Sequence, residues 1–325
     1  MKTMKEKGLR LYRRGFTIIE LLVVIGILGV LLIALLPMVG GSRDSALTAK
    51  CKNNMKNLAL GVITCAQANE HGHFPAAGMY RSVDWKSSKK KNYYPHRPWI
   101  SNYGDASKLN RSMGTAEPGK VVEFSSESEE EVRMALTNGV IWQAAGSSFE
   151  IYRCPVHARE YEKEHSGRQP GWSFMMNQEF GFNLSGDGIH NFMGSSINGA
   201  IHVAIDSKGT RSKDAYRGHD KVLLLAEIQG IEVNDTKHGI TLRPVTGGHG
   251  ADAVLDYTQD ESMGFNHKIG KKNYGGNVAF ADGHVDTIMM PTEQTYIKDL
   301  TRYLCQGYPV PHDGSRYTPS EDDKK

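Results

Sequence analysis

The hydrophobic pattern of the first 70 residues predicts one long helix. A run of 21 residues without a charge, 21–41, follows a polar leader. At about 1.5 Å per residue this run would form a helix about 32 Å long, enough to cross the hydrocarbon core of a membrane. Apolar side chains then return at helical spacing, which is typical of an amphipathic helix, at Leu47, Cys51, Met55, Leu58, Val62 and Cys65. We expect the helix to run from Phe16 to about Asn69 and to be ended by Gly72 and Pro75.

The pattern beyond this helix predicts short strands and long loops. Val222–Ile228 is an apolar run of strand type, and the extended runs 277–281 and 284–288 flank Asp282-Gly283, a dipeptide that favours a type I′ hairpin. Alternation predicts a shared, buried face for Val278, Phe280, Val285 and Thr287. A capping-box pattern predicts a short helix over Ser128–Leu136.

These elements define an α+β fold, in which a long N-terminal helix packs on a mainly antiparallel β-sheet head with long loops. We expect a leader at 1–15, the helix at 16–72 with a membrane span at 16–41, and a globular head at 73–312. The head should carry surface loops at 81–127 and 185–220, where Gly, Ser, Lys and Asn are frequent. Residues 313–325 form a polar tail that we expect to be disordered.

Charge orients the chain in the membrane. The 325 residues include 39 basic and 36 acidic side chains, but residues 1–15 hold six basic residues and only Glu6 as an acid. The leader should therefore stay in the cytoplasm and the head should lie on the far side. The apolar fraction argues against a disordered chain, and four cysteines are too few for a disulfide-dense scaffold. A secretory signal peptide and an uncleaved anchor remain alternatives, although the run is longer than a signal peptide requires.

Glu20 is the unusual residue of this segment. A carboxylate at membrane depth costs up to about 2.5–3.5 kcal/mol when it has no partner. Cleavage between Gly15 and Phe16 would create a positive α-amino group four residues away, in the same chain or in a neighbour. Glu20 therefore has a plausible partner in a processed chain.

The string RRGFTIIELLVVIGILGVLLIALLP resembles the class III signal of type IV prepilins. The resemblance implies cleavage after Gly15, methylation of Phe16 as the first mature residue, and a role for Glu20 in subunit docking. Pro37 stands where pilins commonly carry a proline that loosens the helix. The resemblance also implies processing by a prepilin peptidase, storage in the inner membrane and polymerisation through the N-terminal helices.

A second resemblance extends into the head. CKNNMKNLALGVITCAQANEHGHFPAAG and NVAFADGHV are similar to segments of a large prepilin-like family of Planctomycetes and relatives, the H-x9-DG type, which ends in an Asp-Gly-His motif. That family places a histidine nine residues upstream of the aspartate. Here the upstream candidate is His267, with fourteen intervening residues before Asp282. This departure weakens the inference that His267 is functional.

The cysteines and histidines give weak signals for chemistry. Cys51 and Cys65 lie about 21 Å apart on one helix and cannot bond to each other, so both fit the apolar stripe. Cys154 and Cys305 could form a disulfide, although four cysteines allow three connectivities.

No standard metal or catalytic motif is present, and we predict no cofactor. A metal site is conceivable at the hairpin tip, from His267, Asp282, His284 and Glu227. The favoured alternative is a structural turn, in which Gly283→Val is costly and His267→Ala costs little.

Residues 81–99 combine cations with aromatic rings, a composition that could bind an anionic polymer. A solvated loop is the simpler alternative for this set, which comprises Arg81, Lys86, Lys89, Lys90, Lys91 and Arg97 with Trp85, Tyr93, Tyr94 and Trp99.

The sequence therefore predicts a structural protein and no enzyme: a pilin-like or pseudopilin-like subunit of a type II secretion or type IV pilus-type assembly. Its expected partners are prepilin peptidase, other pilin-like subunits, an inner-membrane assembly platform and membrane lipid. We expect a single-pass inner-membrane protein with a periplasmic or extracellular head. Two alternatives are a membrane-tethered binding module for polysaccharide or nucleic acid, and an enzyme whose catalytic residues are dispersed along the chain.

Overall fold

The computed structural model divides into two compact units, Met1–Ser45 and Ala46–Lys325. The side chains of residues 32–42 and the leader, 1–16, are not among the described parts of the chain. The structure describes residues 17–68, 72, 74–75, 77, 99–100, 129–164, 170–177, 180–185, 188–192, 201–202, 216–244, 253–255, 261–270 and 273–320.

The predicted long helix is confirmed as α1, Ile18–Ala68, which continues through Pro37 without a break. Its early apolar side chains are exposed, as at Ile18, Ile19 and Val30. Within the described residues, no helix is both long and apolar enough to cross a membrane. The predicted span of 16–41 includes Phe16 and the side chains of 32–41, which lie outside the described residues.

A six-stranded, mostly antiparallel sheet forms the centre of the second unit. Its strands are β1 (Phe174–Asn177), β6 (Leu223–Glu227), β9 (Val254–Leu255), β10 (His267–Ile269), β11 (Asn273–Phe280) and β12 (Val285–Met289). Their order is β10-β11-β6-β1-β9, and β12 also pairs with β11. The parallel pair is β1 with β9.

Three small hairpins and four short helical segments complete the described fold. The hairpins are β2 (Gly181–Ser185) with β3 (Gly188–Phe192), β4 (Ile201–His202) with β5 (Tyr216–Arg217), and β7 (Val233–Asp235) with β8 (Ile240–Leu242). The helices are α2 (Glu129–Thr137), a 3₁₀ turn (Phe149–Tyr152), α3 (Pro155–Glu164) and α4 (Gln294–Cys305). Helix α2 confirms the predicted helix at Ser128–Leu136, whereas the predicted loop at 185–220 contains strands β3, β4 and β5.

The amphipathic stripe of α1 packs into the core, as its spacing predicts. Cys51, Met55, Leu58 and Val62 are fully buried, and Leu47 and Cys65 pack partly buried against the same core. Burial of this stripe stabilises the domain by roughly 1.5–3 kcal/mol for each large apolar side chain. A long helix on a mixed, mostly antiparallel sheet with long loops is the predicted α+β, pilin-like arrangement.

The β11–β12 hairpin is present, but its predicted face is wrong. Val278 pairs with Asp286 and Ala279 pairs with Val285, so Val278 lies on the face opposite Val285. The loop has three residues, because the N–H of Phe280 donates to the carbonyl of His284 at 3.0 Å. Positive φ occurs in this loop at Gly283, +88°, which fits a type I turn followed by a left-handed glycine. The predicted turn has two residues. The additional loop residue shifts the pairing of the two strands by one position, so the side chains of β12 lie on the opposite face from the one predicted.

The predicted disorder of 313–325 is wrong for its first part. Tyr317 packs against the core, and its N–H donates to the hydroxyl of Tyr296 at 2.7 Å. Arg316 adds an exposed ion pair with Glu293 at 2.7 Å. Residues 321–325 lie outside the described residues.

Candidate functional site

The N-terminal site begins at a capped helix end. Gly15 and Phe16 lie outside the described residues. The N–H and hydroxyl of Thr17 donate to Oε2 of Glu20 at 2.8 and 2.9 Å, and the N–H of Glu20 donates back to Oγ1 of Thr17 at 3.3 Å. This reciprocal pair is a capping box, which satisfies donors that the first helical turn leaves without partners. Glu20 therefore has a local partner within the chain before any processing.

A second site is a buried cluster of four titratable side chains between α1 and the sheet. The ligand atoms of Cys51, Cys154, Glu227 and His267 all lie within 4.8 Å of one another. None of the four residues is more than 1% exposed. A charged side chain such as the Glu227 carboxylate is rarely buried unless it is paired or binds a metal ion, whereas cysteine is often buried.

Strand register places Glu227 and His267 side by side. His267 of β10 pairs with Gly275 of β11, and Ala226 of β6 pairs with Val278 on the same edge of β11. Glu227 therefore lies opposite Asn277, two residues from Gly275 and on the same face of the sheet. The face that carries both side chains is the one that α1 covers.

One cysteine of the cluster lies on a helix face, and the other lies just before the start of a helix. Cys51 comes from the buried stripe of α1, one turn after Thr48. Cys154 immediately precedes α3, and its carbonyl accepts the N–H of Ala158 at 2.8 Å. Pro155, at the first helical position, fixes the direction in which the chain enters α3.

Glu227 is the centre of the hydrogen-bond network. Its Oε1 accepts from Sγ of Cys51, Nε2 of His267 and Nδ2 of Asn277, each at 2.8 Å. Its Oε2 accepts from Nδ2 of Asn266 at 3.0 Å. Four donors converge on one carboxylate, which is an arrangement that only the ionised form satisfies.

Neighbouring groups fix the orientation of both asparagines. Oδ1 of Asn277 accepts from the hydroxyl of Thr287 at 2.8 Å, and Oδ1 of Asn266 accepts from the N–H of Gly230 at 2.7 Å. Each amide must then turn its NH₂ group towards Glu227. The carboxylate is thereby held in place independently of the cysteines and of His267.

The close contacts shift the ionisation of the whole cluster. Burial disfavours charge on His267, but the Glu227 carboxylate outweighs burial and raises the pKa of His267 to about 10. Burial also disfavours a thiolate at Cys154, yet hydrogen bonds with Cys51 and His267 lower the pKa of Cys154 to about 7. Burial, followed by the contact with Cys154, raises the pKa of Cys51. The pKa of Glu227 is lowered, since His267 and the other donors outweigh the effect of burial.

The arrangement does not fit a nucleophilic triad. A catalytic histidine uses one ring nitrogen for the nucleophile and the other for the orienting carboxylate. Here Nε2 of His267 faces both Oε1 of Glu227, at 2.8 Å, and Sγ of Cys154, at 3.6 Å, while Nδ1 faces Oγ1 of Thr48 at 3.1 Å. The cluster is also shielded from solvent. Its geometry fits a structural polar bridge or a metal site.

The metal candidates predicted from sequence are only partly brought together. His267 and Glu227 meet, but Asp282 and His284 pair with each other at an exposed turn, with 2.6 Å between Oδ1 and Nδ1. The four conceivable ligands therefore do not meet at the hairpin tip, because β10 and β6 pair with one edge of β11, away from that tip. Because His267 is a buried partner of Glu227, the structure favours a larger cost for His267→Ala than the sequence predicts.

The sequence interpretation missed both cysteines of the cluster. Cys51 belongs to the apolar stripe, as predicted, but its thiol also contacts the Glu227 carboxylate. The Cys154–Cys305 disulfide that the sequence left possible is not formed: Cys154 lies in the cluster, and Cys305 is the last residue of α4. Cys51 has the position of a core residue in a helical stripe, and periodicity alone cannot distinguish a metal ligand from core packing there.

Trp99, one of the aromatic residues of the possible anionic-polymer site at 81–99, is not available for binding. Trp99 is fully buried, and its Nε1 donates to the carbonyl of Ala253 at 3.2 Å. It is a core residue and offers no exposed face for stacking. The basic and aromatic residues of 81–97 lie outside the described residues.

Comparison with known proteins bears on the N-terminal site. The family model of the prokaryotic N-terminal methylation motif matches residues 10–36. A prepilin-type methylation motif implies a pilin-like protein that is directed to the membrane, exported and processed by prepilin peptidase. No curated protein and no solved structure matches the chain.

Proposed function

We propose that this protein is a structural subunit of a type II secretion or type IV pilus-type assembly, polymerised through the first part of α1. The methylation motif at residues 10–36 is the observation that carries the proposal. In this proposal cleavage follows Gly15, Phe16 is methylated, and Glu20 docks against the new α-amino group of a neighbouring subunit. Pro37 gives the packed helices flexibility.

The exposure of side chains along α1 supports a polymerisation role for its first part and a packing role in the head for its second part. Ile18, Ile19 and Val30 are 79%, 74% and 69% exposed, whereas Cys51, Met55 and Leu58 are fully buried in the head. A contiguous apolar helix surface is stable only against lipid or against other apolar helices. The early part of α1 therefore suits both storage in the inner membrane and packing with neighbouring subunits.

The proposed topology is a single-pass inner-membrane protein with a cytoplasmic leader and a periplasmic or extracellular head. Its further partners are other pilin-like subunits and an inner-membrane assembly platform. The Asp-Gly-His hairpin supports a place in the H-x9-DG-type prepilin-like family. The protein has no enzymatic role in this proposal.

Peptide mass spectrometry of the mature N-terminus tests the processing step. We expect the chain isolated from its native membrane to begin with N-methylated Phe16. A mature protein that begins at Met1, or after Gly40 or Gly41, would contradict the proposal.

The assembly role of Glu20 is tested with a matched pair of variants. Glu20→Leu should insert normally, because it removes a polar group from the apolar segment, but it should no longer be incorporated into assemblies. Thr17→Ala breaks the same capping box while it keeps the carboxylate, so this variant should be incorporated. Equal defects in both variants would reduce Glu20 to a helix cap, and wild-type incorporation of Glu20→Leu would refute the docking role.

A further inference from the structure

We propose that Cys51, Cys154, Glu227 and His267 bind one zinc ion that fixes α1 to the sheet. The four residues come from α1, the start of α3, the end of β6 and the start of β10, and their ligand atoms lie within 4.8 Å of one another. Two thiolate sulfurs, one imidazole nitrogen and one carboxylate oxygen are ligand types that zinc binds in proteins.

The distances are close to those of a tetrahedral site. Zinc bonds of 2.0–2.3 Å imply ligand–ligand separations of about 3.3–3.8 Å. Sγ of Cys154 and Nε2 of His267 are already 3.6 Å apart. Sγ of Cys51 and Nε2 of His267 each lie 2.8 Å from Oε1 of Glu227, because hydrogen bonds hold them together. When the ion replaces the protons of these two hydrogen bonds, each donor–acceptor distance must lengthen by about 0.5–1 Å.

The surrounding groups orient the ligands as a metal site requires. Oγ1 of Thr48 lies 3.1 Å from Nδ1 of His267 and can accept the Nδ1 proton, so Nε2 can bind the ion once it releases the proton that it shares with Glu227. Asn277 and Asn266 hold the Glu227 carboxylate, and their own orientation is fixed from outside the cluster. None of these contacts has to break when the ion enters.

The closed environment indicates a structural ion. Structural zinc sites have four protein ligands, whereas catalytic sites keep one position open for water or substrate. All four residues here are buried, and the set supplies four ligand atoms. Binding would release the protons of both thiols and of Nε2. The ion should therefore enter during folding and exchange slowly afterwards.

Metal content of the full-length chain is the direct test. The protein is purified in detergent without chelators, and zinc is measured by inductively coupled plasma mass spectrometry. We expect about one zinc ion per chain, lost in Cys51→Ser and in Cys154→Ser. Cys65→Ser, on the same helix, and Cys305→Ser, which is equally buried, are matched controls that should keep the ion.

A spectroscopic measurement keeps the proposal testable if the cluster variants fail to fold. Wild-type protein is refolded from guanidinium with Co²⁺, and thiolate-to-cobalt charge-transfer and tetrahedral ligand-field bands are expected. The absence of these bands in refolded protein would overturn the proposal. So would a Cys51–Cys154 disulfide in peptide maps, a metal-free chain with reactive thiols, or full zinc content in Cys51→Ser and Cys154→Ser.

Discussion

Substitution of Gly283 by valine tests whether the hairpin turn is a structural anchor for α1. Gly283 has φ +88°, a conformation that costs an L-residue about 1–2 kcal/mol and a β-branched one more. Its carbonyl accepts from Nζ of Lys56 on α1 at 2.6 Å. A Cβ at this position would lie 2.9 Å from Cδ1 of Ile63, also on α1. Close contact of this kind typically costs a further 1–3 kcal/mol or so.

The two effects together predict that Gly283→Val lowers the free energy of unfolding by about 2–5 kcal/mol. Ile63 can move its terminal methyl group, so the lower half of this range is the firmer expectation. In a domain of this size, each kcal/mol of lost stability lowers the melting temperature by about 2 °C, so Gly283→Val should lower it by about 4–10 °C.

Gly239 in the β7–β8 turn is the matched control. Its φ is +69°, but a Cβ there meets no atom within 4 Å. Gly239→Val should therefore show the backbone cost alone, about 1–2 kcal/mol. The assay is thermal unfolding of full-length protein in detergent, followed by circular dichroism. If Gly283→Val melts no lower than Gly239→Val, the turn does not anchor α1.

Three further predictions concern the head. His267→Ala should cost about 3–5 kcal/mol, because it removes a buried partner of the Glu227 carboxylate. His284→Ala removes a half-exposed partner of Asp282 and should cost less than about 1 kcal/mol, so equal melting temperatures would contradict this prediction. Burial raises the pKa of Asp286, but the Thr287 N–H and His312 outweigh it and hold that pKa below its usual value. Because the pKa of Asp286 is lower in the folded state, its ionised form stabilises the fold above about pH 4, and this contribution is lost in acid. The melting temperatures of Asp286→Asn and wild type should therefore converge as the pH falls towards about 2. Replacing residues 89–91 with alanine should leave assembly unchanged in electron micrographs, and lost assembly would make that loop a subunit interface.

Local pattern determined the helix and its packing face. The stripe from Leu47 to Cys65 repeats every three or four residues, and a helix must bury such a stripe whatever the fold of the rest of the chain. The leader, the apolar run and Glu20 likewise predicted the methylation motif, because these features are contiguous in sequence. The Asp-Gly dipeptide predicted the hairpin, but it did not determine whether the loop has two or three residues. The loop length determines which side chains of the hairpin face α1.

Only the tertiary structure decided the buried cluster. Cys51, Cys154, Glu227 and His267 span more than 200 positions, and nothing in their spacing indicates that they meet. They meet because β10 and β6 share one edge of β11, and because α1 crosses the same face. A cysteine in an apolar stripe has the pattern of a core residue until the strand register places a carboxylate against it. That register depends on long-range pairing, which the local sequence does not encode.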